Sequence, residues 1–342
     1  MKNKLLVIGL LTAVFAFGQS IERQVIGSSG STLSNGSVSI DFTVGELVVT
    51  TISDGTTTLT QGFHQQTIQL GIKVNPIAFL QGALLNSSNN LMRDDLRSTL
   101  LTTTSPYADA LTCDVTVFDL GGTSGTGVTS DDIVDWVFIE LRDENDNTLV
   151  RASQSALLQR DGDIVGVDGV SDLEFNVMAR NYHVVVKHRN HLGIMTANTV
   201  ALSNTLVTVD FTDANNQITF GTDAQTTFGM PTDTVAMWAG DSNGDGRLNY
   251  SGGLSDVPPI RSQVFNDPDN SVFGGPPVAS YQSEGLFDTD IDMDGLTVYS
   301  GAASDVLHVR NNIFNNPSNS VFGGPPTSTY LFTQQLPEGA NN

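Results

Sequence analysis

The chain has 342 residues, of which 37 are acidic and 15 basic, for a formal net charge of −22. This length allows two or three domains, and so acidic a surface repels phosphate backbones, which excludes nucleic acid as a partner. The low proportion of charged residues and the abundance of Gly, Ser, Thr and Asn are typical of a β-rich, loop-rich extracellular protein.

The first 18 residues have the pattern of a signal peptide. Lys2 and Lys4 precede an apolar run over residues 5–17, which is too short to cross a hydrocarbon layer of about 30 Å. Small residues at Ala16 and Gly18 predict cleavage before Gln19. Because no later apolar run reaches transmembrane length, we expect a protein that is secreted or held at the cell surface.

The mature chain is predicted to be mainly β. Residues 19–70 form a small N-terminal β module, with strands expected at 38–44, 47–52 and 58–63. Residues 74–222 are predicted to form an antiparallel β-sandwich, because many short apolar runs are separated by Gly, Asp and Asn turns. The strands of the sandwich are expected at 77–80, 114–120, 134–142, 148–152, 173–177, 182–188 and 205–211, with one short helix at 90–101.

The predicted strand at 134–142 is apolar on both faces, so we expect both faces to be covered. The N-terminal module or the C-terminal region is the predicted second cover. An exposed Trp136 that stacks on a ligand is the alternative. Cys113 is the single cysteine, which excludes an internal disulfide, and it is interpreted as a buried core thiol.

The last third of the chain contains an internal repeat. Residues 241–281 align with residues 290–330 without a gap, 49 positions later (290 − 241), and about half of the aligned pairs are identical. The eight residues 270–277 recur unchanged at 319–326. Chance does not produce such a match, so a duplicated structural unit is predicted over residues 236–337.

Each repeat opens with an acidic run that has the ligand pattern of a calcium loop. Carboxylate or amide oxygens occupy positions 1, 3 and 5, and glycine at position 6 allows the turn that aims the carbonyl of position 7 inward. An EF-hand closes with an acid at position 12, where this chain has Gly252 and Gly301, and its next acid is at position 16. The predicted Ca²⁺ ligands are Asp241, Asn243, Asp245, the Arg247 carbonyl and Asp256 in site one, and Asp290, Asp292, Asp294, the Leu296 carbonyl and Asp305 in site two.

The two closing acids also begin a helical pattern. Apolar residues follow at helical spacing, and Pro258 and Pro259 fit only the first turn of a helix. We therefore expect Asp256 and Asp305 to cap two short helices, each ending before the next proline. Site two has four carboxylates and site one has three, so the second site is predicted to bind more tightly. Solvated Asp-Gly turns are the alternative interpretation.

The tandem loop and helix resemble the dockerin-type calcium repeat. They differ from it by four additional residues before the closing acid, which moves that acid from position 12 to position 16, and by a longer spacing between the repeats. The whole chain resembles a family of exported bacterial surface proteins of the adhesin-like or haemagglutinin-like kind. The matching stretches are 134–141, 156–163, 187–192 and 237–246, and the chain ends near Pro337 as that family does. The first resemblance implies calcium binding, and the second implies an extracellular location and this architecture.

No catalytic motif stands out. The sequence has no HExxH or GxSxG, and the glycine-rich run at 121–127 lacks the lysine of a phosphate loop. His183, His188 and His191 cluster near a strand end, where structural hydrogen bonds are favoured over a zinc site. Asp161, Asp163 and Asp168 could bind another cation, but a hairpin turn is the favoured interpretation of this segment.

The sequence therefore predicts an exported, non-catalytic structural or adhesive protein with two calcium-stabilised loops. A carbohydrate-binding accessory module or a dockerin-like docking module is the alternative. The expected partners are calcium and either a surface glycan or another surface protein. Both tryptophans are interpreted as buried core residues rather than exposed platforms for a sugar ring, which favours the structural or adhesive role over sugar binding.

Overall fold

The structure is a computed structural model that describes residues 70–87, 90–119, 129–271, 274–320 and 324–338, and the backbone of four earlier strands. The chain divides into two compact units, Met1–Ile68 and Gln69–Asn342. The mainly β fold class is confirmed, since strands greatly outnumber helices among the described residues. The predicted signal peptide lies outside the described residues.

The first unit contains two antiparallel strand pairs. The predicted strand at 38–44 is present, and it pairs with a strand that the sequence analysis missed. Residues 47–51 and 60–63, predicted as parts of two further strands, lie outside the described residues. The pairs are β1 (Ser29–Ser34) with β2 (Ser39–Val44), and β3 (Ile52–Ser53) with β4 (Thr58–Leu59).

A large sheet in the second unit has the order β11-β10-β6-β7-β8, and β12 pairs with β10. All its pairings are antiparallel, and β6 lies at its centre. The short strands β8, β11 and β12 were not predicted. The strands are β6 (Ile133–Asp143), β7 (Val150–Gln159), β8 (Ile164–Val165), β10 (Arg180–His188), β11 (His191–Met195) and β12 (Val200–Leu202).

A second sheet, in the order β13-β5-β9, shares one apolar core with the large sheet, which makes the two sheets a sandwich. Ile72 and Phe175 of the small sheet and Ile139 of β6 belong to this core. One pairing departs from the antiparallel prediction, because β13 runs parallel to β5. The strands are β5 (Leu70–Ile77), β9 (Leu173–Met178) and β13 (Val207–Asp210).

Strand β6 is covered on both faces, as its sequence predicts, and part of the second cover is a segment that was not predicted to provide it. Trp136 is fully buried against Val117 and Phe118, and its indole Nε1 donates to the Thr102 carbonyl at 2.9 Å. At Trp136 the cover is therefore the segment 101–118 of the sandwich itself, and at the far end of β6 the Pro337 carbonyl of the C-terminal region accepts from Arg142 at 2.6 Å. Cys113 packs half-buried at the edge of this cluster rather than within the core.

Three elements of the sandwich were predicted wrongly. The strand expected at 77–80 lies earlier in the chain, as β5 (Leu70–Ile77). Residues 115–119 form a 3₁₀ helix instead of a strand, because the Asp114 carboxylate accepts the Thr116 N–H at 2.9 Å and starts a turn. Residues 95–100 form turns instead of a helix. The N–H groups of Met92 and Arg93 donate to carbonyls of other segments, so they cannot form the backbone hydrogen bonds of a helix. A short helix occurs earlier, at α1 (Gln81–Leu84).

The C-terminal repeats are interlocked. The opening strand of each repeat pairs with the closing strand of the other, β16 with β19 and β18 with β17. The register is the same in both pairs, since Leu248↔Phe332 and Thr297↔Ser283 are related by the repeat offset. The strands β14 (Gln225–Thr226) and β15 (Ala236–Met237) precede the repeats. The elements of the two repeats are β16 (Arg247–Asn249), α2 (Val257–Asn266), β17 (Gln282–Glu284), β18 (Leu296–Val298), α3 (Asp305–Phe314) and β19 (Leu331–Thr333).

A buried ion cluster ties β6 to the end of β10. Asp135 is fully buried, and its Oδ2 accepts from Arg189 at 2.9 Å and lies 3.2 Å from His188 Nε2. Burial alone would raise the pKa of Asp135, but Arg189 and His188 lower it to about 2. The carboxylate is therefore ionised at neutral pH and neutralises the buried guanidinium.

We expect Asp135→Ala to lower the free energy of unfolding by ~3–5 kcal/mol, because it leaves the buried Arg189 with only the longer pair to the exposed Asp288, at 3.7 Å. Denaturant unfolding measures the loss. Glu174→Ala is the control, since it removes an exposed ion pair with Lys73 and should leave stability almost unchanged. Equal losses in the two variants would contradict the role of burial.

Candidate metal centre

The two acidic loops have the same backbone conformation. At position 4, Gly244 and Met293 have φ values of 69° and 58°, and at position 6, Gly246 and Gly295 have values of 72° and 89°. Left-handed backbone is costly for methionine, so the second loop is held in this shape by its surroundings.

The acid at position 1 folds each loop around itself. The carboxylate of Asp241 accepts the N–H groups of the residues four and five positions later, at 3.0 and 2.9 Å. Asp290 makes the same two contacts one repeat later, at 3.1 and 2.9 Å. Both acids are buried at the base of their loops.

The closing acids join the loop to the strand that follows it. Asp256 accepts from the N–H of Ser242 at 3.0 Å and of Asn249 at 2.8 Å. Asp305 makes the two equivalent contacts at 2.6 and 2.7 Å. The predicted helix-capping role is wrong, because neither carboxylate bonds to its own helix and Ser304 occupies the N-cap position of α3. Each carboxylate instead points back into the loop.

The second loop brings three acids together. Oxygen atoms of Asp290, Asp292 and Asp305 all lie within 4.8 Å of one another. Asp290 and Asp305 are fully buried, and Asp292 is half-buried with its Oδ2 at 3.3 Å from His308 Nε2. Within the described part of the chain, no Lys or Arg forms an ion pair with Asp290 or Asp305. Buried carboxylates without a directly paired Lys or Arg suit a hard divalent cation.

The first loop is more open. Asp241 and Asp256 are buried, whereas Asn243 and Asp245 are exposed. The Asn243 side-chain oxygen accepts the Asp245 N–H at 2.9 Å, so it supports the turn. As far as the structure describes this loop, no three of its acids approach as closely as the three of the second loop do.

The remaining predicted ligands lie at the edge of the loops. Asp294 is exposed, and its Oδ1 accepts the N–H of Leu296 at 2.9 Å, which turns it toward its own backbone. Arg247 and Leu296, whose carbonyls were predicted as ligands, are the first residues of β16 and β18. The ligand sets as a whole stay a prediction.

Burial raises the pKa of the acids that hold the loops. It raises the pKa of Asp241 and of Asp290 to about 7, and that of Asp256 to about 8. Burial and then the neighbouring Asp290 raise the pKa of Asp305 well above its usual range. Ionised carboxylates are thus unfavourable in the metal-free loops, and a bound cation would remove the penalty.

Residues far outside the repeats hold the second loop, and sequence analysis missed them. The carbonyls at 290–292 are contacted in turn by the Asn190 amide, by α1 at Gly82 and by the Arg93 guanidinium. A Cβ atom on Gly82 would overlap the loop backbone. The repeat period does not extend to these positions, so no pattern in the sequence marks them.

No protein-family model and no curated protein matches the chain. Two solved structures are similar to it, both interface mutants of a type II cohesin–X-dockerin complex from Acetivibrio cellulolyticus. The C-terminal interface mutant has a TM-score of 0.32 and 14% identity, and the match covers 71% of this chain and 94% of that one. The N-terminal interface mutant has a TM-score of 0.28 and 14% identity, with 70% and 92% covered. Scores this low do not define a common fold.

The helices that the structure describes are too short or too polar to cross a bilayer.

We expect the metal-free protein to lose stability as the pH rises. An acid whose pKa is raised in the folded state holds a proton that the unfolded chain, with a pKa of about 4, has released. That stability is fully present below about pH 4 and is lost progressively as the pH rises to about 7 to 8, the raised values of Asp241, Asp290 and Asp256.

Denaturant unfolding in EDTA between about pH 7 and pH 9 measures the last part of this fall. In this range the lowered pKa values of His188 and His191 keep both rings neutral in the folded state, and an unfolded histidine, with a pKa of about 6.5, is mostly neutral. Asp241→Asn with Asp290→Asn should flatten the slope. A stability that rises with pH in EDTA would contradict the expected sign.

Proposed function

We propose that this chain is an exported, non-catalytic protein of the extracellular space or cell surface, with a structural or adhesive role, whose C-terminal repeats are stabilised by two Ca²⁺ ions. The observation that carries the proposal is the group of Asp290, Asp292 and Asp305. Their oxygens converge within 4.8 Å at a largely buried position, and the repeat places a homologous loop before it.

Calcium suits these loops better than smaller cations do. Ca²⁺ accepts six to eight oxygen ligands at about 2.3–2.6 Å in flexible geometry, whereas Mg²⁺ requires a strict octahedron and keeps its waters. The loops offer carboxylate and amide oxygens from side chains at positions 1, 3 and 5 and from the closing acid. Backbone N–H groups already hold Asp290 and Asp305 from the other side, so their free lone pairs are the ones left for an ion.

A stabilising role follows from the position of the loops in the repeats. Each loop leads into a strand that pairs with the other repeat, and each closing acid begins or precedes a helix. An ion that joins Asp290 to Asp305 therefore ties β18 and α3 together. Through the exchanged strands, it also supports the first repeat.

The described residues support a structural or adhesive role over sugar binding by the tryptophans. Trp136 and Trp238 are both buried in apolar clusters, so neither is an exposed platform for a sugar ring. His188 and His191 are also buried and hydrogen-bonded, which removes the clustered histidines from surface chemistry. The signal-peptide pattern and the resemblance to adhesin-like surface proteins support an extracellular partner, a glycan or another surface protein.

Calcium should raise the stability of the chain that begins at Gln19. A ligand present at ~100 times its Kd adds ~2.7 kcal/mol at one site. Thermal unfolding in EDTA and in millimolar calcium measures the shift, and Asp241→Ala combined with Asp290→Ala should abolish it. Asp269→Ala, an exposed acid outside the loops, is the control and should keep the full shift. A wild-type melting temperature that is the same in both buffers would refute calcium binding.

The second site should bind more tightly than the first. It has four carboxylates against three, and ligand charge is one determinant of calcium affinity. Calorimetric titration of Asp241→Ala reports mainly on the second site, and that of Asp290→Ala mainly on the first. The smaller Kd is expected for Asp241→Ala, and the opposite order would contradict the ranking.

A further inference from the structure

Asn190 touches the first residue of both loops. It is fully buried in the turn between β10 and β11. Its backbone carbonyl accepts the N–H groups of Gly240 and Asp241 at 3.0 and 3.1 Å. Its side-chain Nδ2 donates to the Asp290 carbonyl at 2.7 Å. One residue therefore connects position 1 of the first loop to position 1 of the second.

The orientation of the Asn190 amide is set by its neighbours. The Gly82 N–H donates to His191 Nε2 at 3.1 Å, so the proton of the neutral ring must lie on Nδ1. His191 Nδ1 lies 2.7 Å from the Asn190 side-chain oxygen, which therefore accepts. This leaves the NH₂ group facing the Asp290 carbonyl, and burial keeps the ring neutral by lowering the pKa of His191 well below its usual range.

The turn that carries Asn190 is anchored in the sandwich. His188 lies 3.2 Å from the Asp135 carboxylate, and Arg189 donates to the same carboxylate at 2.9 Å. Arg189 also donates to the Phe287 carbonyl, just before the second loop. Both loops thus attach to a turn whose position is held by buried charges in β6.

We propose that Asn190 is a positioning residue that couples the two loops, so that filling the second with calcium raises the affinity of the first. This inference rests on the calcium binding proposed above. In the second loop the carbonyls of 290 and 292 accept hydrogen bonds from outside the repeats, and that of Ile291 packs closely on Gly82, so the loop is close to its bound shape before an ion arrives.

Among the described residues, none donates a hydrogen bond to the carbonyls of 241–243 in the first loop, and its Asn243 and Asp245 are exposed. An ion in the second loop holds Asp290 in place, and the Asn190 amide transmits this constraint to the carbonyl that holds the Asp241 N–H. The first loop then loses less conformational freedom when its own ion binds, which is positive coupling.

A calorimetric calcium titration of the full mature chain tests the coupling. The Asp290→Ala chain gives the affinity of the first site with the second disabled, and the wild type gives its affinity with the second filled. We expect the filled second loop to tighten the first about tenfold, within the usual range of such couplings. In the Asn190→Ala background the same comparison should give less than about twofold.

Asn319→Ala is the matched control. Asn319 is equally buried, and its amide donates to two carbonyls of its own repeat at 2.8 and 2.9 Å, so the variant loses similar hydrogen bonds without touching either loop. The coupling should persist in Asn319→Ala. The isosteric Asn190→Asp should lose it, because a carboxylate oxygen would face the Asp290 carbonyl. Coupling that survives both substitutions at Asn190 overturns the proposal.

Hydrogen exchange on the wild type gives a readout that needs no variant to fold. With enough calcium to fill only the tighter second site, the Asp241 N–H should exchange more slowly than in EDTA. Unchanged exchange of this amide overturns the coupling. A wild type that binds no calcium overturns the proposed function, whereas two ions that bind independently overturn the coupling alone.

Discussion

The structure of the repeats depends on four buried aspartates, the first and last acid of each loop. Each carboxylate accepts two backbone N–H groups, so each loop is folded around its own acids. Carboxylates are costly to bury without a counter-charge, and the raised pKa values of these acids express that cost. The divalent cation that we propose would resolve this conflict, because its charge would offset that of the buried carboxylates.

The interlocked strands extend this local constraint to the whole C-terminal region. Because β16 pairs with β19 and β18 with β17, neither repeat completes its own small sheet. The helices α2 and α3 add a shared apolar contact through Ile260 and Val309. The buried amide of Asn312 bridges Gln81 of the sandwich and the Ala239 carbonyl before the first loop. Repeats and sandwich therefore form one compact unit, in which each loop is supported by residues distant in the chain.

The sequence predicts correctly those elements whose determining pattern is local. The central strand β6 and the helices α2 and α3 follow from periodicity and from the positions of Asp and Pro. The prediction fails where a single side chain or a distant backbone group changes the outcome. Asp114 turned a predicted strand into a 3₁₀ turn, and donation by Met92 and Arg93 to other segments replaced a predicted helix. The closing acids were assigned to helix caps because their partners, at Ser242 and Ile291, are brought close only by folding.

The sequence by itself determined the duplicated unit, the mainly β class and the candidate ligands, because a repeat and a spaced set of oxygens are properties of the chain order. The tertiary structure decided which acids converge, and it brought Asp290, Asp292 and Asp305 together. It also decided what supports them, since Gly82, Arg93 and Asn190 lie about 100 to 200 residues away from the second loop. Contacts over such separations leave no periodic signal, because they depend on how the sandwich and the repeats pack.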